Sequence, residues 1–259
     1  MLHDYHTHTN YSDGDLMHRM LAAAENSELD AIGIADHCNV SDREIMKEKK
    51  HSLGFNLDMT YKRRRKAINR LKDDYDVTVF DAVEIDYHPA DEDAIEAFMA
   101  DAGFDYIVGS VHFIDDVNVH YIEHFEALSE QQRKDAVDQY FDMLVTMIES
   151  EIVDIAAHMD VFERNPALRG FATDQHYGAV ADALADSKTV PEINAGRLLD
   201  EYGQPHPSDP FFEALMEHDI DFTFGTDSHT PEQLANRIPA LQQVFEDRGV
   251  SPVTLDAVV

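Results

Sequence analysis

Three residues near the N-terminus, His6, His8 and Asp13, are of types that bind divalent metal ions, and they lie within the stretch HDYHTHTNYSDG. Residues two apart on a strand project to the same side. A strand over Leu2–His8 therefore aims the imidazoles of His6 and His8 at one point, which is half of a metal site. More residues of this kind recur along the chain: Asp36 and His37, Glu84, His112, His158 and Asp160, then Asp227 and His229. Each closes or follows a short apolar run. The donors are imidazole and carboxylate with no thiolate, a set that suits Zn, Mn or Fe rather than a structural cysteine-zinc knot. They exceed what one ion can use, so two or three divalent ions are expected. Clustered cations of this kind activate water and neutralise oxygen charge in phosphoryl or acyl hydrolysis.

The elements that must gather these residues are apolar runs alternating with amphipathic segments. Strands are expected at Leu2–His8, Ala31–Asp36, Val77–Asp86, Tyr106–His112, Ile152–His158, Thr189–Asn194 and Asp221–Thr226. Pro191 marks the sixth as irregular or edge-like. A helix is expected from Leu16 to about Ser27, capped by Asp13-Gly14-Asp15, and another from Asp58 to about Tyr75. A third, Asp91–Ala102, is stopped by Gly103. Ser129 and Gln132 form a capping box ahead of a stripe of Val137, Tyr140, Phe141, Leu144 and Ile148. Later helices pass through Tyr177, Val180, Ala181 and Leu184, start at Ser208, and open on Thr230-Pro231-Glu232-Gln233.

Seven strand–helix units in alternation give an α/β chain, a distorted (β/α)7 TIM-like barrel. A single domain over 1–259 is expected, with a basic insertion at about 38–76. Functional side chains of such barrels collect at the C-terminal ends of the strands. Six of the 15 histidines fall at such ends; the others, such as His3, His51, His120 and His206, read as ordinary surface histidines. His18 reads as helical surface, and Cys38 as a buried bystander beside His37.

The charge is strongly acidic, with 52 Asp and Glu against 20 Lys and Arg for a formal −32. Plentiful, periodic apolar residues argue against disorder. Such a surface suits a salt-accumulating halophile, where ions screen the self-repulsion, and it disfavours nucleic acid and anionic membranes. No apolar run approaches the roughly 18 residues that span a bilayer, and the start does not read as a signal peptide. One cysteine fits a reducing cytoplasm. Eleven of the basic residues crowd into Arg43–Lys72, leaving that window at +8 and the remainder at −40. The window reads either as a solvated helical face or as a positive collar that draws in a phosphate-bearing substrate. On the collar reading, reversing Arg63, Arg64 and Arg65 together raises the Michaelis constant.

The motifs HTHTNYSDG, ADH at 35–37, the glutamate of AVEIDY, GSVH at 109–112, AHMD at 157–160 and TDSH at 226–229 resemble those of the PHP (polymerase and histidinol phosphatase) superfamily. The stretches VEIDY, DYIVGSVHFI, YFDMLVTMIESEIVDIAAHMDVF and PEINAGR are similar to its histidinol-phosphatase branch. The resemblance implies a distorted (β/α)7 barrel with a trinuclear centre. It assigns His6, His8, Glu84 and Asp227 to a first ion. Glu84 bridges to a second ion held with His112 and His158, and Asp13, His37 and His229 hold a third. It implies hydrolysis of a small phosphate monoester, L-histidinol phosphate, by a hydroxide bridging two ions. Catalytic candidates are His229, His37 and Asp227, and substrate-binding candidates are Arg197 and Asn194. The alternatives are a PHP phosphoesterase acting on nucleotides or oligonucleotides, and a non-catalytic metal-binding protein.

Overall fold

The apolar runs form short parallel strands in a computed structural model that describes residues 1–27 and 29–255. Position 28 and the last four residues of the expected 1–259 unit lie outside the described residues. The strands are β1 (His3–Thr7), β2 (Ala31–Ile34), β3 (His37–Cys38), β4 (Thr78–Asp81), β5 (Val83–Asp86) and β6 (Ile107–Ser110). A small antiparallel hairpin follows, β7 (Phe113–Ile114) with β8 (Val117–Asn118). The series ends with β9 (Ile155–Ala156), β10 (Val190–Asn194) and β11 (Thr223–Gly225).

Two parallel ladders run β1-β2-β4 and β3-β5-β6-β9-β10-β11. They belong to one ring. Ala82 N bonds Ile34 O at 3.1 Å and Glu84 N bonds Asp36 O at 3.2 Å, so β2 with β3 and β4 with β5 are each one interrupted stave. The ring closes between first and last strands, where Asp227 N donates to His6 O at 2.8 Å and His8 N to Ser228 O at 2.9 Å. Seven staves result, the expected distorted (β/α)7 barrel. A small core of Tyr5, Ala35, Ala82, Tyr106, Val108 and Ile155 draws on five of them, which only the barrel interior permits.

The helices are α1 (Met17–Asn26), α2 (Glu44–Leu53), α3 (Leu57–Leu71), α4 (Glu92–Ala102), α5 (Ile122–Glu126), α6 (Glu130–Glu149), α7 (Asp174–Ala185), α8 (Asp209–Met216) and α9 (Pro231–Arg248). The Ser129–Gln132 capping box opens α6, whose apolar stripe joins the main core. Gly103, at φ 60°, ends α4.

Three local expectations are corrected. Leu16, not Asp13-Gly14-Asp15, caps α1, and Asn10 Oδ1 receives the Met17 N–H at 3.1 Å. The basic window holds two helices: Gly54 in the left-handed region separates α2 from α3, and α3 runs on after Leu71 as a 3-10 turn over Lys72–Asp74, close to the expected end near Tyr75. Strand β10 is interior, paired on both sides, despite Pro191. Its missing N–H falls just before the ladder with β11 begins at Glu192 opposite Thr223, so no ladder bond is lost there.

Candidate metal centre

All nine expected ligands meet at the C-terminal ends of the staves. Glu84 is central. Its carboxylate lies 3.3 Å from His6 Nε2, 3.5 Å from His8 Nε2, 2.7 Å from His37 Nδ1, 3.5 Å from His112 Nε2 and 3.1 Å from His158 Nε2. Asp227 Oδ1 lies 3.4 Å from His8 Nε2, and His229 Nε2 lies 3.3 Å from Asp13 Oδ2. Four groups place their donor atoms within 4.8 Å of one another: His6, His8 and Asp227; His6, Glu84 and His158; His37, Glu84 and His112; and His8, Asp13, His37 and His229. Glu84 is shared, as expected of a bridging ligand. The grouping also differs from the expected one. Glu84 pairs with His158 on the His6 side and with His112 on the His37 side, and His8 joins the group containing Asp13.

His6 Nε2, His8 Nδ1 and Nε2, His37 Nδ1 and Glu84 Oε2 are buried and make no hydrogen bond of good geometry among the described residues, although a partner lies within reach of most. Buried polar atoms without partners are costly, and cations bound among them satisfy them. The residues therefore fit divalent ions. Charge agrees. Burial alone would push the Glu84 carboxyl up, but His37, His6 and His112 hold it well below the usual carboxylate range. Burial, with His229 and His37 nearby, lowers His8 to about 4, so that imidazole is neutral and free to donate a lone pair. His158 and Asp227 also carry positive φ, 23° and 52°, strain of the kind that folds retain at working sites.

Several residues orient the ligands. Both Glu192 oxygens lie 3.0 Å from His6 Nδ1, and Oε1 also accepts from His158 N at 3.0 Å. Asp86 holds His112 Nδ1 at 2.6 Å, and the Asp227 carbonyl holds His229 Nδ1 at 3.0 Å. Such partners fix the ring and tautomer of a ligating histidine. Glu192 escaped the sequence reading because it lies mid-strand, though the alternation that pairs it with Asn194 was visible. Gly225 is required beneath it: a Cβ there would come 2.1 Å from Glu192 Oε2.

Two strand-end residues serve other purposes. Asp36 binds Thr9, Ser12 and Arg64. Asp160 accepts from His206 Nδ1 at 2.6 Å and Ser208 N at 2.8 Å, away from the cluster. His206 is accordingly no surface histidine; it is fully buried. Cys38 is buried, as expected, and His18 is exposed. Among the substrate-binding candidates, Arg197 is exposed and paired with Asp200 at 3.0 Å. The Asn194 amide is engaged by Glu192 at 2.7 Å and by Gly196 N at 2.7 Å. Two guanidiniums reach Asp227: Arg237 Nη1 donates to its carbonyl at 2.6 Å, and Arg164 Nη2 lies 3.4 Å from its Oδ2. Arg164 sits in a short turn after β9, where sequence offered no periodic signal.

The basic window is neither a bare solvated face nor a simple collar. Arg64 is completely buried, donating to Asp36 at 3.0 Å, to Asp81 at 2.7 Å and to the Ala82 carbonyl. Arg65 binds Asp81, Lys50 binds Asp58, and Arg43 binds Asp91 and Asp116. Reversing Arg63, Arg64 and Arg65 together would thus perturb folding rather than report on substrate attraction. Arg63 is exposed and stacks over Tyr11 at 5.6 Å.

A family model described as PHP domain matches residues 4–195. The chain belongs to the PHP domain family. Asp227 and His229, which belong to the same cluster of ligand-type residues, lie beyond the matched span. Over 173 residues the chain is 23% identical to a protein of Deinococcus radiodurans named "Probable histidinol-phosphatase", covering 66% of this chain and 65% of that relative. The chain thus spans just under two thirds of the length of the curated relative it matches. Among solved structures, the "putative histidinol phosphatase" of Listeria monocytogenes superposes with a TM-score of 0.77 at 19% identity, over 89% of this chain and 96% of that one. The histidinol phosphate phosphatase of Lactococcus lactis, complexed with zinc, L-histidinol and phosphate, gives 0.74 at 19%, over 99% and 97%. At these identities the structural likeness bears on the fold, the PHP-type distorted barrel.

Proposed function

We propose that this PHP domain is a metal-dependent phosphate monoester hydrolase whose substrate is L-histidinol phosphate. The observation that carries the proposal is the convergence of nine ligand-type residues, among which His6, His8, His37 and Glu84 have buried donor atoms without a hydrogen bond among the described residues. His6, His8 and Asp227 would hold one ion; Glu84 would be shared between His6 and His158 on one side and His37 and His112 on the other; Asp13 and His229, with His8 and His37 beside them, would hold a further ion. Zn, Mn or Fe bound there would supply Lewis acidity toward phosphate oxygens and a water acidified for attack.

The remaining work falls to the chain itself. Glu192, Asp86 and the Asp227 carbonyl keep the His6, His112 and His229 rings aimed inward. Arg164 presents a guanidinium fork beside Asp227, suited to a phosphate. His229, about a quarter exposed at 26%, and His37, at 8%, line the side where the leaving oxygen would depart. The name of the Deinococcus relative and the ligands of the Lactococcus structure support the choice of substrate.

The nucleotide or oligonucleotide reading is weakened, because Arg43, Lys50, Arg64 and Arg65 are committed to internal partners, although Lys62, Arg63, Lys66, Arg70 and Lys72 are exposed. Among the described residues no helix is long and apolar enough to cross a membrane. Phosphate release by zinc- or manganese-loaded protein in molar salt, from L-histidinol phosphate against nucleotides and short oligonucleotides, tests the proposal. Turnover of histidinol phosphate above the others is expected. Equal or greater turnover of the nucleic-acid substrates, or none with any metal, would overturn it.

A further inference from the structure

Arg164 is held from behind by a buried pair that the centre itself does not use. His206 is fully buried, and its Nδ1 lies 2.6 Å from Asp160 Oδ1. The other Asp160 oxygen accepts from Ser208 N at 2.8 Å. A carboxylate can only accept, so the proton of a neutral His206 sits on Nδ1. The lone pair is then left on Nε2, facing the Arg164 Nε–H at 2.8 Å. Burial keeps this imidazole neutral, lowering it to about 4. The ring has little freedom to move. His206 N and O exchange backbone bonds with Asn194 at 3.0 and 2.7 Å, and Tyr202 stacks on the ring at 5.2 Å between centroids.

The far side of the guanidinium is more loosely held. Nη2 reaches Asn194 Oδ1 at 3.3 Å and Asp227 Oδ2 at 3.4 Å, and Nη1 has no hydrogen-bond partner among the described residues. The planar group is thus fixed at Nε and open at Nη1, beside a candidate metal ligand. Gly196 leaves the space it occupies, since a Cβ there would come 2.5 Å from Arg164 Nη2.

We propose that Asp160 and His206 are positioning residues that aim the Arg164 guanidinium at the phosphate of the substrate. The proposal rests on the reading of Arg164 as a phosphate-binding group. Asp160 fixes the His206 tautomer, His206 accepts from Nε, and the fork is turned so that Nη1 faces the incoming oxygen. Without the acceptor on Nε, the side chain is free to swing toward solvent or onto Asp227.

The test uses the full-length, zinc-loaded protein in molar salt, with inorganic phosphate as the probe. Phosphate Kd is measured by calorimetry, alongside KM and kcat for L-histidinol phosphate, zinc content and melting temperature. Two substitutions divide the imidazole's functions. His206→Gln places an acceptor near the Nε2 position, whereas His206→Asn keeps a donor toward Asp160 and offers Arg164 nothing. Arg164→Lys and His206→Asn should each weaken phosphate about tenfold, as loss of a charge-assisted contact implies, with KM rising more than kcat falls. The double variant should be no weaker than either single one. His206→Gln should restore phosphate Kd to within about threefold of the parent. Asp160→Asn, which leaves the histidine in place, should weaken phosphate several-fold through its poorer acceptor.

Wild-type phosphate affinity in both His206→Asn and Asp160→Asn, with Arg164→Lys impaired, would overturn the positioning role while leaving Arg164 as the phosphate group. Unchanged affinity in Arg164→Lys would overturn the reading of Arg164, and the proposal with it. Equal losses in His206→Gln and His206→Asn that track their melting temperatures would reduce the pair to a packing role and overturn the proposal.

Discussion

Replacing Arg64 by Met tests whether the basic window is built into the fold. The guanidinium has no exposed surface and donates to Asp36, Asp81 and the Ala82 carbonyl. Removing one member of a buried ion pair costs about 3–5 kcal/mol, because the abandoned charge remains buried. The partners here are not left bare. Asp36 keeps Thr9 N, Thr9 Oγ1 and Ser12 Oγ as donors, and Asp81 keeps Arg65 at 2.5 Å. The cost should therefore fall at the lower end, about 3 kcal/mol. With an unfolding entropy of about 2.1 cal/mol/K per residue, a chain of 259 residues loses roughly 2 °C per kcal/mol. Arg64→Met should then melt about 6 °C below the parent by circular dichroism in molar salt. Arg63→Met, which removes an exposed cation from above Tyr11, should melt within about 1 °C of the parent. An Arg64→Met protein within 1 °C of the parent, or equal losses in both variants, would refute the reasoning.

Other expectations concern charge, pH and metal. Glu84→Gln removes the carboxylate nearest to five imidazoles, so purified protein should retain at least one zinc fewer per chain by elemental analysis; an unchanged zinc content would count against a shared carboxylate. With a formal charge of −32, the melting temperature should rise from dilute buffer to molar potassium chloride, and a flat or falling trend would contradict a salt-adapted surface. Burial raises the Glu163 carboxyl from 4.5 to about 7. Its contribution to stability is thus fully present below about pH 4.5 and lost as pH rises through about 7. Glu163→Gln should gain stability relative to the parent between pH 5 and pH 8 in parallel melting curves; a pH-independent difference would rule out this carboxyl as the source.

The barrel and the clustering of the ligand-type residues were legible because both depend on short-range regularities. Apolar runs marked the staves, and a polar residue closing each run marked its C-terminal end, so His6, His37, Glu84, His112, His158 and Asp227 could be gathered without tertiary information. What escaped depends on pairings across the chain. Asp160 has the same local signature as His158 two residues before it, and only the fold shows that its partner is His206, 46 positions later. Arg64 sits among exposed cations, and only its helical spacing with Leu57, Tyr61 and Ile68 on the buried face of α3 distinguishes it from Arg63. Pro191 argued for an edge strand because the sequence cannot show where the ladder with β11 begins. Arg164 lies in a turn, where no periodicity announces a side chain's direction.

The central claim is that these nine side chains form a multi-ion centre for phosphate ester hydrolysis. Titrating metal-free protein with zinc while following phosphate release from L-histidinol phosphate tests it most directly. Release should begin with added zinc and level off at two to three equivalents per chain. Release that is independent of zinc, or saturates at one equivalent, or never appears, would contradict the account.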